Sequence, residues 1–297
     1  MRLLLRIYRV RGVILLIAVA LCLLGALRRF LPEGEVIEAT FLVLSWLGIA
    51  GLLIAVLVAM PAARLLPEYG SISVVSPVAG RWLGMNSPVD KVPSHGVRAY
   101  GQAYAIDLVY EPVGKKRPAF GEGPAMRSPE EYPAFGQPVR AMVDGEVVAV
   151  LDTLRDHRAR SSMSGIVYMM IEGAIRELAG PKFIIGNHVT IRSDDGVFAV
   201  VAHIKNGSAF VNVGDRVRAG QEIAECGNSG NSSEPHVHAQ LMDRRSAWTG
   251  QGVPFSFVDV RIGDTEQLQN ALPGNLQHVT IDMPASVPAR PAKPSKE

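Results

Sequence analysis

The chain is poor in cysteine, with two in 297 residues. Cys22 lies in a long apolar run and Cys226 in a soluble-looking stretch far along the chain, so a disulfide between them is not expected. Two cysteines also exclude a cysteine-based zinc site, which needs more ligands than these. Cys226 as a nucleophile is the sharper reading, and a small buried filler is the favoured one. Excess charge is absent too: 30 Lys and Arg against 28 Asp and Glu leave a formal net charge of +2. Aromatics make up 6% of the chain, and no basic stripe is interleaved with them. Nor is there a Walker or Rossmann glycine pattern, so nucleic-acid and nucleotide binding are not expected. The length suffices for one substantial domain plus attachments.

Long apolar runs are present, and both stand near the N-terminus. Met1 to Arg11 carries four arginines, and Gly12 to Leu27 follows without a charge. This first run is about the minimum that spans a bilayer. A secretory signal is its rival, but the candidate cleavage site LGA has leucine where a small residue is wanted. Leu21 ahead of Cys22 likewise argues against a lipid-attachment motif. Ala39 to Met60 is longer and uniformly apolar, and is read as a transmembrane helix rather than a buried core helix. The expected layout is a membrane anchor over 1–65 with one or two transmembrane helices, a β-rich domain over 66–282, and a Pro/Lys-rich disordered tail over 283–297.

Within the β-rich part, alternation and turn residues mark strands in AYAIDLVY, GVFAVVAH and HVHAQLM. Gln137 to Asp152 reads as a hairpin turning at Asp144-Gly145, and Gly186 to Ile204 as a second hairpin turning at residues 194–196. Gly114 to Tyr132 is a Pro/Gly/charge-rich surface loop. Arg155 to Gly180 is an insertion whose apolar spacing predicts a helix stopped at Gly180. A packing helix at the domain edge is favoured there over a substrate lid.

Three of the seven histidines fall between His203 and Leu241. His203 ends an apolar β-branched run. His236 and His238 are one residue apart in a strand, so both project onto one face. Asp107 sits mid-strand, where aspartate is disfavoured and its burial would be costly unless a partner such as a metal resolves it.

The order AHIKNGS, VNVGDRVRAGQEIAECGNSGNSSEPHVHAQL resembles the LytM/lysostaphin-type zinc peptidases, the M23 metallopeptidases. The resemblance reaches from about Ser71 to Asp259, with insertions, and leaves the membrane segment outside. It implies a mainly β fold, a LytM-like antiparallel β-sandwich of the duplicated hybrid-motif type, here with an N-terminal pair of hydrophobic transmembrane helices. It implies Zn2+ as cofactor, with His95, Asp107 and His238 as ligands. It implies catalytic roles for His236 and His203, as proton carrier and oxyanion donor. Eleven residues separate His95 from Asp107, where the common family spacing is H-x-x-x-D, so His95 must return through a bulging loop. The competing reading makes His95 a plain loop residue. His188 has a modest claim to the substrate cleft, His157 and His278 read as solvated loop residues, and Asn187 and Asn231 as loop-orienting residues or plain turns.

The implied activity is a zinc endopeptidase acting on peptide cross-links of peptidoglycan, with the peptide and the membrane as partners and no nucleic acid. The implied place is the bacterial cell envelope. Arg2, Arg6, Arg9 and Arg11 argue for a cytoplasmic N-terminus, and two spans would then return the large domain to the cytoplasm. Either the N-terminus is translocated against the rule, or the first run does not cross, or the domain is cytoplasmic; the resemblance favours the outside. Two other functions compete. A non-catalytic LytM-type regulator would be expected to lose zinc residues that are kept here. A phosphotransferase-type carrier would use His203 and His236 but leave His238 and Asp107 unexplained. A biotinyl or lipoyl carrier is rejected, because no lysine follows VGDRV-x-x-GQ.

Overall fold

A computed structural model describes residues 2–32, 34–62 and 66–282. The tail expected to be disordered lies outside the described residues. The chain divides into two compact units, Met1–Glu68 and Tyr69–Glu297.

The first unit is a pair of helices, α1 (Arg2–Ala26) and α2 (Glu35–Ala62). Both are long and apolar enough to cross a membrane. α1 begins ten residues before the uncharged run, so the four arginines ride on its first three turns rather than preceding it. The two helices approach closely along a seam of small residues. A Cβ at Gly48 would fall 2.5 Å from Cys22 Sγ and 2.9 Å from the Ala18 carbonyl, and one at Gly51 would fall 2.9 Å from Ala18 Cβ. Small residues are what lets helix backbones meet where no hydrophobic force drives them together.

The second unit is mainly β. Ten strands form the main ladder: β1 (Ile72–Val74), β2 (Gly80–Met85), β3 (Ile106–Tyr110), β4 (Gly145–Leu151), β5 (His188–Ser193), β6 (Phe198–Ala202), β7 (Arg216–Val217), β8 (Val237–Met242), β9 (Phe255–Ile262) and β10 (His278–Ile281). Their spatial order is β1-β9-β10-β2-β3-β8-β6-β5-β4-β7. β1 runs parallel to β9, and the other neighbours on this path are antiparallel.

The register of the central strands separates core from site. Ile106, Ala239, Val201 and Val189 stand in one cross-strand row, all buried. One residue along, Asp107, His238, Ala202 and His188 form the next row. Because side chains alternate faces, the first row enters the hydrophobic core and the second lies on the opposite face. A separate two-stranded sheet, Pro138–Arg140 with Glu222–Glu225, adds Val139, Ile223 and Ala224 to the same core.

The hairpin expected over Gln137 to Asp152 does not form. Its first half pairs with Glu222–Glu225 and its second with β5 and β7. Asp144-Gly145 only redirects the chain from one sheet to the other: Gly145 faces Arg192, and a Cβ there would sit 2.1 Å from the Arg192 carbonyl oxygen. The Gly186 to Ile204 hairpin does form, as β5 and β6. The insertion forms α3 (Met163–Ala179), capped by Ser162 Oγ accepting from the Gly165 N–H and ended by Gly180 at φ 102°, then the short α4 (Pro181–Ile185).

Phe257 is fully buried in this core. Phe257→Ala should destabilise the unit by about 3 kcal/mol or more. At roughly 2–4 °C per kcal/mol for a domain of this size, thermal unfolding of the detergent-solubilised chain followed by near-UV circular dichroism should drop by ~6–12 °C.

Candidate metal centre

The site is assembled on the face of β3 and β8 away from the core. Asp107 on β3 and His238 on β8 are direct cross-strand partners, which fixes their side chains side by side. His236 stands two residues before His238 and shares its face. His95 comes from the loop ahead of β3. That loop bulges outward and returns through a short 3-10 segment, Ala99–Tyr104, in which Tyr100 (φ 59°) and Gly101 (φ 75°) take left-handed conformations. Gly101 has little choice, since a Cβ there would fall 2.5 Å from Met242 Cγ. His203 follows directly on β6. Alternation would send it to the face opposite Ala202, away from His238. Its backbone at φ 60° breaks the alternation and brings the ring to 4.7 Å from that of His236, centroid to centroid. Left-handed backbone at a non-glycine residue is a stored strain of the kind that gathers at functional sites.

Each imidazole is tied by one nitrogen to an outer partner. His95 Nδ1 is 3.0 Å from Ser94 Oγ, which itself donates to the Gln102 carbonyl. His203 Nδ1 donates to the Ser229 carbonyl at 2.8 Å. His236 Nδ1 donates to the Glu234 carbonyl at 2.7 Å. His238 Nε2 donates to Gln240 Oε1 at 2.9 Å, and Gln240 Nε2 donates to the Tyr100 carbonyl, which orients the amide. These bonds fix the tautomers of the neutral rings. His95, His203 and His236 present Nε2 to the site, and His238 presents Nδ1.

The inward atoms converge on Asp107. His238 Nδ1 is 2.8 Å from Asp107 Oδ1, His95 Nε2 is 3.1 Å from Oδ2, and His236 Nε2 is 3.5 Å from Oδ1. Asn86 Nδ2 donates to Oδ2 at 2.7 Å. With the tautomers so fixed, two nitrogen lone pairs face a carboxylate at contact distance. Lone pairs repel, and only a proton or a cation between them makes the arrangement favourable. One donor atom each from His95, Asp107 and His238 lies within 4.8 Å of the others. Two imidazole nitrogens and one carboxylate oxygen are a donor set suited to zinc in a site that keeps a fourth position open. Tetrahedral ligation at ~2.05 Å places ligand atoms ~3.3 Å apart, so the residues present fit that ion.

Burial of Asp107 works against its charge, but the His95 and His236 rings outweigh it and hold the carboxyl well below the usual carboxylate range. Burial together with the neighbouring His236 and His238 rings keeps His203 far below the ordinary histidine value. Burial also opposes protonation of His236, yet Asp107 prevails and raises it.

The five residues border a cleft of about 600 Å³. Its far wall is α3, through Met169, Met170, Gly173, Ala174 and Glu177. The Tyr100 hydroxyl donates to Glu177 Oε1 across the mouth, joining the His95 loop to the helix. Asn231 lines the cleft, and its Oδ1 has no hydrogen-bond partner among the described residues. Asn187 is wholly buried and braces the loop by exchanging two hydrogen bonds with the Leu154 backbone.

Other sequence expectations are corrected. His157 is buried, with Nε2 2.9 Å from the Gly230 carbonyl, because its loop packs under the glycine-rich loop that leads into β8. His278 lies on β10 and pairs with Glu111 at 3.0 Å. His188 shares the row of Asp107 but is not among the cleft-lining residues, and its Nδ1 donates to the Gly186 carbonyl. Cys226 is fully buried, which pushes its thiol pKa up and leaves it an inert filler. Sequence reasoning missed Gln240 and Ser94. A glutamine two residues after His238 on the same strand face was the available signal for the first, and adjacence to His95 for the second.

Residues 155–250, about a third of the chain, match the family model described as Peptidase family M23. Over this stretch the chain belongs to peptidase family M23. The matched stretch contains His203, His236 and His238, while His95 and Asp107 precede it. Among solved structures, the M23 chain is similar to the antimicrobial peptidase lysostaphin from Staphylococcus simulans, at 22% identity over 52% of this chain and 45% of that chain, with a TM-score of 0.30. It thus spans less than half the length of that lysostaphin. It is similar to the catalytic domain of a variant of the prophage-encoded M23 protein EnpA from Enterococcus faecalis, at 22% identity over 64% and 95%, with a TM-score of 0.31. A zinc containing peptidase from Vibrio cholerae matches at 16% identity over 50% and 45%, with a TM-score of 0.25.

Replacing Gln240 by leucine removes the acceptor that fixes the His238 tautomer. Loss of such an outer partner typically costs ~10–100-fold in metal affinity. Zinc competition with a chromophoric chelator should show a drop of that size in Gln240→Leu, beside a loss of about 1–3 kcal/mol in the metal-free chain for each buried group left unpaired.

Proposed function

We propose that this M23 chain is a membrane-anchored zinc endopeptidase, with peptide cross-links of peptidoglycan as its substrate. The observation that carries this reading is the convergence of fixed lone pairs from His95 and His238 on the buried Asp107 carboxylate. These three side chains would hold the metal. Zinc held there would supply a Lewis acid that lowers the pKa of a bound water to about 7.

The protein's own groups do the remaining work. His203 and His236 act on the site through Nε2 alone, because Nδ1 of each is committed to a carbonyl. His236 Nε2 is the atom placed to accept a proton from the attacking water. It returns that proton to the leaving amine. His203 Nε2, when protonated, donates to the oxyanion of the tetrahedral intermediate. The cleft between the His95 loop and α3 receives an extended peptide and shields the reacting carbonyl from bulk water.

The substrate assignment rests on the resemblance to the LytM/lysostaphin-type peptidases, and with it the placing of the domain outside the cytoplasmic membrane. The non-catalytic regulator is the second reading. The complete set of His95, Asp107, His203, His236 and His238 favours the enzyme over it.

Zinc content and peptidoglycan digestion, measured together on the full chain, test the proposal. His238→Ala should lose bound zinc and activity. His236→Ala and His203→Ala should keep close to one zinc per chain yet lose about 10²–10³-fold in turnover. Zinc bound with no digestion by the unsubstituted chain would leave the regulator reading standing. Full activity in either catalytic variant would remove that residue from the mechanism.

Removal of zinc by a chelator should also abolish digestion, and restoring zinc at neutral pH should recover it. Digestion that persists in the metal-free chain would refute the metal assignment.

A further inference from the structure

α3 is amphipathic in the reverse sense. A surface helix ordinarily turns its apolar stripe to the core and its charges to water. Here the inward side carries every charge of the helix and its glycines, with Ile166 and Met169 half-buried among them. Glu172 pairs with Arg160 at 2.5 Å, Arg176 donates to the Gly230 carbonyl, Glu177 accepts from Tyr100, and Gly165 is the one buried residue of the helix. The outward side carries Met163, Val167, Met170, Ile171, Ile175 and Leu178, each between 53% and 67% exposed. At 3.6 residues per turn these residues, with Ala174 and Tyr168, fill an arc of about 160°. Ser164 is the only polar residue within it, and no charged residue falls there.

A contiguous apolar face of this kind marks an interaction surface. Its composition narrows the partner. A protein-binding patch is ringed by polar and charged groups that set register. The charges of α3 are instead spent on the domain, leaving an arc that demands an apolar medium rather than a matched surface. The chain also brings such a medium within reach. Two helices long and apolar enough to cross a bilayer precede the domain. Only nine residues separate Ala62, the end of α2, from Ile72, the start of β1. Fully extended, they span at most ~32 Å, so the β-rich unit is tethered close to the bilayer that α2 would cross. The Pro/Lys-rich residues 283–297 offer few apolar side chains with which to cover the face instead.

We propose that the outward face of α3 is a membrane-docking surface, which lies in the lipid interface of the bilayer that holds the N-terminal helices. An amphipathic helix seated this way sinks its apolar side about 5–10 Å into the boundary of headgroups and acyl chains. Met170 belongs both to this face and to the wall of the metal-site cleft. Docking therefore sets the cleft mouth beside the membrane and selects peptides presented close to it. The inference rests on the membrane anchoring of the proposed function and not on its zinc chemistry.

The test uses the full chain in phosphatidylethanolamine/phosphatidylglycerol vesicles, with no activity readout. In a Cys22→Ala background, Ile171→Cys is labelled with bimane; Cys226 is buried and unreactive. Lipids carrying a spin label near the top of the acyl chain should quench the label strongly, and aqueous iodide should not. Adding Val167→Glu and Ile175→Glu, both at exposed positions, should abolish lipid quenching and admit iodide while the circular dichroism stays unchanged. Iodide quenching without lipid quenching in the singly labelled chain would overturn the proposal. So would energy transfer between differently labelled copies without lipid quenching, which would give the face to a second copy of the chain. Lipid quenching that survives the two glutamates would overturn it as well.

Discussion

A carboxylate buried among imidazoles is the constraint on which the site depends. Asp107 cannot be stripped of water without compensation, and no lysine or arginine is hydrogen-bonded to it among the described residues. The compensation comes from rings whose outer nitrogens are already bound. That requirement reaches far into the fold. It needs β3 beside β8 in one register, a β8 strand that begins just after His236, a carbonyl at Ser229 to hold His203, and a glutamine at 240 to hold His238. A slip of one residue between β3 and β8 would send Asp107 or His238 into the apolar core. The core row of Ile106, Ala239, Val201 and Val189 prevents that slip, so packing and chemistry share one register.

Much of this arrangement was legible in the residues. The H-x-H pair on a strand places His236 and His238 together by alternation alone, and an aspartate amid β-prone residues announces a burial that something must compensate. The β5–β6 hairpin is local and carries its own turn. What was not legible depended on distant partners. Asp144-Gly145 has the chemistry of a hairpin turn, but whether flanking strands pair with each other is decided by competitors. Here Glu222–Glu225 and β5 outbid the local pairing. His157 looked solvated because nothing nearby in sequence tells that the loop carrying Gly230 closes over it.

Two features show the limit of periodicity more sharply. The apolar spacing over 163–178 predicts a helix with one apolar side, and the helix is there. Periodicity gives the stripe but not its direction: the helix sits against the domain, but through Glu172, Arg176 and Glu177, whose partners Arg160, Gly230 and Tyr100 leave the stripe outward. His203 shows the reverse case. Strand alternation places it on the wrong face, and a left-handed backbone corrects that. No pattern of residue types encodes such a departure, since histidine at φ 60° is strained wherever it occurs.

The donors are also unequal in what carries them. Asp107 and His238 are locked in neighbouring strands, whereas His95 rides on a loop whose return depends on Tyr100, Gly101 and the Ser94 hydrogen bonds. An ion taken up as proposed would be held by two strand-borne donors and one loop-borne donor. Displacing that loop alone would release it, with no strand moved and no core exposed. Its residence time and its binding strength would then be governed by different parts of the chain: the ladder would set how well the pocket fits, and the loop how readily it opens.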